Sequence, residues 1–273
     1  MRAGLLGVGW DDHSSHARGP ARAPAFIRAA LHDDAGNRYS ANLTDVLAED
    51  ALRDHGDVAL SGDAGDFDRI LAAAGQVMAS GDALLALGGD HAVSFPLVSA
   101  VAQTHPGLRI VHIDAHPDLY DDFEGDPLSH ASPFARIMER GLASRLLQIG
   151  IRADTPHLRE QAERFGARSY PPDEIETALV AIAALGDGPV YLTIDLDGLD
   201  PAFAPGVNHQ EPGGLTMREV LRVIEALPGR LVGADVVELS PDRDLNGATA
   251  RVAARLVKEI VARMAADGPP AQS

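Results

Sequence analysis

The sequence contains no cysteine, and its basic residues are far outnumbered by acidic ones. The absence of cysteine excludes disulfide bonds, thiolate metal sites and a cysteine nucleophile. Against 40 aspartates and glutamates stand 23 lysines and arginines, which gives a formal net charge of −17 at pH 7. Because an acidic surface repels phosphates, nucleic acids and anionic membranes are disfavoured as partners, whereas metal ions and small cationic ligands are favoured.

Long apolar runs are also missing. No stretch of about 18 apolar residues is present, so we expect no membrane-spanning helix. The apolar residues 1–9 are too short and too poorly flanked for a secretory signal. The chain has 273 residues, of which 45% are hydrophobic and 23% charged, as in an ordinary globular protein with a large core. We therefore expect a cytoplasmic enzyme or binding protein.

Apolar segments typical of buried strands alternate with helical patterns along the whole chain. The predicted strands are residues 4–8, 83–87, 109–113, 145–149, 190–194 and 231–237. The predicted helices are residues 24–31, 66–79, 92–104, 131–140, 172–185, 216–227 and 248–266. This order predicts one domain over residues 1–273, with an α/β fold: a three-layer α/β/α sandwich around a mostly parallel sheet. Residues 267–273 are predicted to form a frayed tail.

Aspartates and histidines follow three of the predicted strands. The segments are GGDH at 88–91, DAHPD at 114–118 and DLDGLDP at 195–201, and Glu238 follows a fourth strand. Ligands of open parallel sheets bind at the carboxyl ends of the strands, and residues i and i+2 of a strand end point the same way. The residues that can converge there as metal ligands are His91, Asp114, His116, Asp118, Asp195 and Asp197.

Electrostatics indicates what such a cluster needs. Carboxylates about 5 Å apart repel each other by roughly 3 kcal/mol at an effective dielectric constant near 20. Four of them could not stay ionised together without compensating charge, which two divalent cations would supply. Asp and His ligands without sulfur suit Mn²⁺ and accept other divalent transition metals. Two such ions about 3.5–4 Å apart would hold a water and lower its pKa, which predicts a hydrolase.

Each segment alone has a plainer explanation. An Asp-x-Asp pair is commonly a turn, and GGDH could be a strand-to-helix turn capped by Asp90. Capping does not explain three such segments at the ends of three buried strands, so we interpret them together as one metal centre.

With GGDH, DAHxD and DxDxxDP in this order, the sequence resembles the ureohydrolase (arginase/agmatinase) family. The stretches DAHPDLYDDFEGD and VGADVVELSPDRD are similar to those of plant-type arginases and bacterial agmatinase-like proteins. The resemblance implies an arginase-like fold, two Mn²⁺ ions, and hydrolysis of a guanidinium C–N bond to urea and an amine. Its substrate would be agmatine, arginine or a related guanidino compound, and its assembly a homo-oligomer, either a trimer or a hexamer.

The resemblance also implies how the ligands divide between the ions. Those of the first ion would be His91, Asp114, Asp118 and Asp195. The second ion would add His116 and Asp197, with Asp118 and Asp195 reaching both ions. Asp118 would in addition accept a hydrogen bond from the bridging hydroxide.

Two further residues match catalytic positions of the family. Glu238 would hold the substrate guanidinium, since a carboxylate can bind that planar cation with parallel hydrogen bonds. His130 would carry a proton to the leaving amine, a transfer that suits a side chain with a pKa near 6.5. The structural alternatives are an ion pair between Glu238 and Arg243 and an exposed loop imidazole at His130.

The choice of substrate is less constrained. Agmatinases usually carry His-Gly-Thr where this chain has HAS at 130–132, and plant arginases usually carry Asn where it has Asp126. If Asp126 faces the site, its charge would repel the carboxylate of arginine, so we hypothesise that agmatine is preferred. The alternative is that this acidic loop is simply solvated. His209 either lines the mouth of the site or forms a structural turn.

Two other functional classes stay open from the sequence. A deacetylase-like metal amidohydrolase on the same fold would use a single zinc and would not need His91. A non-catalytic member of the family would bind metal without turnover. The remaining histidines, among them His13, His16 and His112, show no partner pattern and are expected outside the ligand set.

Overall fold

The computed structural model describes residues 1–267. The strands are β1 (Ala3–Gly7), β2 (Leu52–Asp57), β3 (Ala83–Leu87), β4 (Arg109–Ile113), β5 (Arg145–Ile149), β6 (Arg168–Tyr170), β7 (Pro189–Asp195) and β8 (Arg230–Val237). They form one sheet in the order β2-β1-β3-β8-β7-β4-β5-β6, and every neighbouring pair is parallel. The predicted parallel α/β sheet is thereby confirmed.

Helices cover both faces of this sheet. They are α1 (Ala23–Leu31), α2 (Asp66–Ala79), α3 (Ser94–Thr104), α4 (Pro133–Glu139), α5 (Pro156–Phe165), α6 (Ile175–Ala183), α7 (Met217–Ala226) and α8 (Ala248–Ala266). Helices α1, α6, α7 and α8 share one apolar cluster with the sheet, and α2 to α5 share the other. Successive strand residues alternate between them, as Leu84 and Leu85 do. None of the helices within residues 1–267 has the length and apolar character that crossing a membrane requires.

Three elements carry too little apolar sequence to be predicted. β2 and β6 are the edge strands of the sheet, where most side chains face solvent, and β2 has no fully buried residue. α5 buries only Leu158 and Gln161, so its apolar stripe is narrow. Its ends nevertheless follow local rules, because Thr155 caps the N–H of Leu158 at 3.2 Å and Gly166 closes the helix in a left-handed conformation.

The predicted tail falls almost wholly outside the described part of the chain. Of residues 267–273, only Asp267 is described, and its carboxylate accepts a hydrogen bond from the backbone N–H of Leu231 at 2.8 Å. The other residues of that prediction, 268–273, lie outside the described residues.

The central strands β3, β8, β7 and β4 are neighbours, so the segments that follow them meet at one edge of the sheet. The segment after β1 crosses this edge as well. A β-carbon on Gly89 would lie 1.8 Å from the carbonyl oxygen of Trp10, so only glycine permits the approach. The backbone N–H of Asp90 donates to that same oxygen at 2.9 Å. Residues 10–16, which we call the rim loop, are thus fixed beside the site.

Candidate active site

The first half of the predicted metal centre forms around Nδ1 of His91. This atom lies 2.9 Å from Oδ2 of Asp114, 3.0 Å from Oδ2 of Asp118 and 3.4 Å from Oδ2 of Asp195. On the other side of the ring, Nε2 lies 2.9 Å from the hydroxyl of Thr193. Nδ1 is buried and makes no hydrogen bond, so a nitrogen and three carboxylate oxygens face one point.

The second half forms around His116. Its Nδ1 lies 3.1 Å from Oδ2 of Asp197 and 3.4 Å from Oδ1 of Asp114. Asp114 therefore contributes one oxygen to each half. The second group of close ligand atoms comprises Asp114, His116 and Asp197, because Asp114 follows β4 directly and lies between the two histidines. The implied division, in which Asp118 and Asp195 reach both ions, stays a prediction.

No lysine or arginine of the described chain balances the charges of this cluster. The four carboxylates are at most 7% exposed, and within residues 1–267 no lysine or arginine forms an ion pair with them. Burial and the charges of Asp197 and Asp114 hold the pKa of Asp195 well above its ordinary value. Burial and Asp114 raise the pKa of Asp197 to about 6. A set of oxygen and nitrogen donors with excess negative charge and an unpartnered Nδ1 fits divalent cations.

His112 is a member of the cluster that the sequence analysis missed. It is fully buried, its Nε2 lies 2.7 Å from Oδ2 of Asp114, and the side-chain amide of Gln148 donates to its Nδ1 at 3.0 Å. Its ring stacks on Phe134 at 4.0 Å. Because the amide donates to Nδ1, the ring proton is on Nε2 and holds Asp114 in place. The sequence contained a signal for this contact, since residue 112 of β4 and residue 114, just beyond its end, are two apart and point the same way.

We expect the substitution His112→Phe to weaken metal binding about 10- to 100-fold, because the ring stays stacked while the hydrogen bond to Asp114 is lost. The measurement is the Mn²⁺ concentration that gives half-maximal activity. His32→Phe, at the exposed end of α1, serves as the control. An unchanged half-activating concentration in His112→Phe would show that His112 only fills space.

Glu238 and His130 form a buried pair on the wall next to the metal cluster. His130 Nδ1 lies 2.8 Å from Oε1 of Glu238, which also accepts the backbone N–H of His91 at 3.0 Å. Neither structural alternative is observed: His130 is only 8% exposed, and the partner of Glu238 is His130 rather than Arg243. Burial lowers the pKa of His130, but the Glu238 carboxylate outweighs it and raises that pKa to about 9.

Two residues of the site hold an unusual backbone conformation. Asp118 has φ 51° and Glu238 has φ 66°, both in the left-handed region that side chains other than glycine rarely adopt. Each turn follows the end of a central strand. The backbone reversal places both carboxylates in the site, and residues held this way cluster at functional sites in proteins.

Four of the predicted metal ligands and the Glu238–His130 pair line one cavity of about 190 Å³. Its lining residues are Ser15, His116, Asp118, Tyr120, Phe123, His130, Ala131, Ala153, Leu158, Asp195, Asp197, His209 and Glu238. His209, for which the sequence left two possibilities, lies between two residues of the site, with ring centroids 5.4 Å from His130 and 5.8 Å from His116.

Asp126 is not among the residues that line this cavity. Its Oδ2 instead lies 2.7 Å from Nδ1 of His13 in the rim loop. Its Oδ1 accepts the backbone N–H of Leu128 at 2.9 Å. The condition on which the sequence-based substrate hypothesis depended, a carboxylate of Asp126 facing the site, is therefore not met in this arrangement.

Comparisons with known proteins agree with this geometry. A family model described as "Arginase family" matches residues 1–262. The mitochondrial arginase 1 of Arabidopsis thaliana is 45% identical over 274 residues, which cover 95% of this chain and 80% of that protein. The agmatinase of Bacillus anthracis is 35% identical over 262 residues, which cover 94% and 90% of the two chains. The structure of the arginase from Medicago truncatula is similar with a TM-score of 0.90 and 41% identity, covering 97% of this chain and 87% of that one.

Proposed function

Because this chain belongs to the arginase family, we propose that it hydrolyses a guanidino compound whose far end carries no carboxylate, with agmatine as the model substrate. The chain is a hydrolase of the arginase and agmatinase type, as the sequence predicted. The observation that carries the proposal is that the metal cluster and the Glu238–His130 pair share one cavity that holds no lysine or arginine among its described lining residues.

The protein's own groups divide the work of this reaction. Oε1 of Glu238 is occupied by His91 and His130, whereas Oε2 accepts no hydrogen bond from the described residues and is left for the substrate guanidinium. Divalent ions held by the predicted ligands would supply Lewis-acid activation of water. His130 protonates the departing amine, so that the amine leaves as a neutral molecule.

The cavity wall supports the choice of substrate tail. Tyr120, Phe123 and Leu158 form its apolar part, and the rings of Tyr120 and Phe123 meet edge to face at 5.1 Å. A substrate carboxylate against this apolar wall would lose its hydration without gaining a lysine or arginine partner, which is costly. An ammonium or a neutral group avoids that cost, and an ammonium is attracted by aromatic faces. The second candidate is arginine, because identity to the plant arginase, 45%, exceeds that to the agmatinase, 35%.

Urea release from a panel of guanidines tests the proposal. The protein is loaded with Mn²⁺ and assayed with agmatine, arginine, guanidinobutyrate, guanidinopropionate and guanidine. We expect kcat/KM for agmatine to exceed that for arginine at least tenfold, the equivalent of about 1.4 kcal/mol. A higher kcat/KM for arginine than for agmatine would overturn the proposal that the far end of the substrate carries no carboxylate. Thermal stabilisation by Mn²⁺ without urea from any compound would instead indicate the non-catalytic alternative.

We also propose that two Mn²⁺ ions bind, since the ligands form two groups that share Asp114. Metal analysis of protein purified after Mn²⁺ loading is expected to give two equivalents per chain. A cytoplasmic location and assembly into a trimer or hexamer stay predictions.

A further inference from the structure

Both ring nitrogens of His130 are occupied by the protein. Nδ1 pairs with Glu238, as described above. Nε2 lies 3.2 Å from the backbone nitrogen and 2.8 Å from the hydroxyl oxygen of Ser15, in the rim loop. A backbone N–H can only donate, so Nε2 acts here as the acceptor and the ring proton is on Nδ1. In the neutral ring, the Glu238 carboxylate at Nδ1 and the backbone N–H of Ser15 at Nε2 therefore favour the same Nδ1–H tautomer, and the Ser15 hydroxyl adds a second contact at Nε2.

The rim loop that carries Ser15 is fastened to the same region of the chain as His130. The backbone N–H of His130 donates to the carbonyl oxygen of His13 at 3.1 Å. The ring of His13 binds Asp126 at 2.7 Å and meets the ring of Trp10 edge to face at 4.6 Å. The His13–Asp126 pair therefore joins the rim loop to the loop that precedes His130.

We propose that Ser15 is a positioning residue for His130 and that the His13–Asp126 pair keeps it there. This inference rests on the proposed function, in which His130 transfers the proton. The hydroxyl of Ser15 can donate to a bare Nε2 and accept from a protonated one, so it stays bonded in both states. Glu238 on one side and Ser15 on the other then hold the ring edge at the cavity. Asp126 acts on the reaction through the rim loop and not through contact with the substrate.

The substitution Ser15→Ala tests the first part. We expect kcat for agmatine to fall about 10- to 100-fold while KM changes less than about twofold, because proton transfer and not substrate binding is affected. Ser15→Thr keeps the hydroxyl and is expected to restore most of the activity. Ser14→Ala is the matched control. It also removes a hydroxyl from the rim loop, but the Ser14 hydroxyl binds the carboxylate of Asp90, at 3.0 Å, and not His130. Wild-type kcat in Ser15→Ala, or equal losses in the two alanine variants, would overturn the role of Ser15.

A second readout does not depend on activity. In nitrogen-15 spectra of the metal-free protein at about pH 10, above the pKa of His130, we expect the neutral ring to show the Nδ1–H tautomer, with its signals identified by their loss in His130→Gln. In Ser15→Ala the tautomer should persist, because Glu238 and the backbone N–H of position 15 are kept, while the Nε2 shift should change as its hydrogen bond to the hydroxyl is lost. Unchanged shifts would contradict the proposal. If the wild-type protein releases no urea, the proposed function fails while this measurement still tests Ser15.

The His13–Asp126 pair is tested through substrate preference. Asp126→Asn and His13→Asn are each expected to lower kcat about three- to tenfold, and the double variant should lose less than the product of the two, because the residues act as one unit. The ratio of kcat/KM for agmatine to that for arginine should stay the same in Asp126→Asn. A tenfold change in that ratio with unchanged kcat for agmatine would show that Asp126 contacts the substrate, and would overturn its role as an anchor.

Discussion

Replacement of Asp195 by asparagine is expected to abolish urea release and, in the same protein, to stabilise the metal-free fold. Asp195 is 3% exposed and shares the cluster with three other buried carboxylates that no lysine or arginine of the described chain neutralises. Folding raises the pKa of Asp195 well above its ordinary value, so near neutral pH the folded state must either take up a proton or bear the repulsion, and asparagine removes this cost. Asparagine keeps the Oδ1 that accepts the backbone N–H of Asp197 at 2.8 Å, so the turn after β7 is preserved.

The measurement combines thermal unfolding with the urea assay. Without metal, Asp195→Asn is expected to melt about 2–4 °C above the wild type, as roughly 1 kcal/mol gives in a protein of this size. With saturating Mn²⁺ the order should reverse, since a ligand at 100 times its Kd stabilises the wild type by about 2.7 kcal/mol. Urea release should fall more than about 1000-fold, because water activation is lost.

Asp200→Asn is the control for this experiment. Its carboxylate lies in the same strand-end segment but binds the backbone N–H groups of Ala202, Gly213 and Gly214, at 2.7 to 3.0 Å. It should therefore destabilise the metal-free protein and leave the response to Mn²⁺ intact. If Asp195→Asn lowers the melting temperature of the metal-free protein as Asp200→Asn does, the buried carboxylates of the metal cluster do not destabilise the metal-free fold.

Glu238→Gln is expected to lower kcat/KM for agmatine about 1000-fold without changing metal affinity. Glutamine keeps an oxygen for the backbone N–H of His91 but removes the charge that faces both the guanidinium and His130. Charge-assisted hydrogen bonds of this kind contribute far more in a buried site than in water, and losing one in the transition state costs about 3–4 kcal/mol. Alanine would in addition leave that N–H unpaired, so glutamine is the cleaner test.

The comparison for this variant is Glu211→Gln. The Glu211 carboxylate is 44% exposed and lies 4.0 Å from Nε2 of His116. It is near the site but does not reach the Glu238–His130 pair, so kcat/KM should stay within about threefold. Equal losses in the two variants would mean that overall negative charge at the cavity, and not the position of Glu238, determines the rate.

The sequence was sufficient for the elements that bury both faces. β3, β4 and β5 have the predicted bounds, because continuous apolar runs between turn residues leave little choice. The edge strand β2 reads LRDHGD and has no such run, because one side of it faces water. Its pairing with β1 depends on contacts that a local pattern does not contain.

The candidate site likewise has a part that could be predicted from the sequence and a part that could not. The ligands could be predicted because each follows a buried parallel strand, and the topology of such sheets brings strand ends together. Contacts between distant loops could not be predicted: Asp126 and His13 are 113 residues apart, and Ser15 and His130 are 115 apart. For this reason the hypothesis for Asp126 rested on its charge alone, and the sequence predicted no function for Ser15.

The left-handed turns at Asp118 and Glu238 have a consequence for directed evolution of this protein. An L-residue with such dihedral angles costs roughly 1–2 kcal/mol relative to glycine, which adopts them freely. A screen that rewards heat resistance alone would therefore favour glycine at position 118 and remove a predicted metal ligand, whereas glycine at position 238 would also leave the backbone N–H of His91 unpaired. Libraries selected for thermostability should keep the codons for Asp118 and Glu238 fixed, because selection for stability alone does not protect residues that only the activity requires.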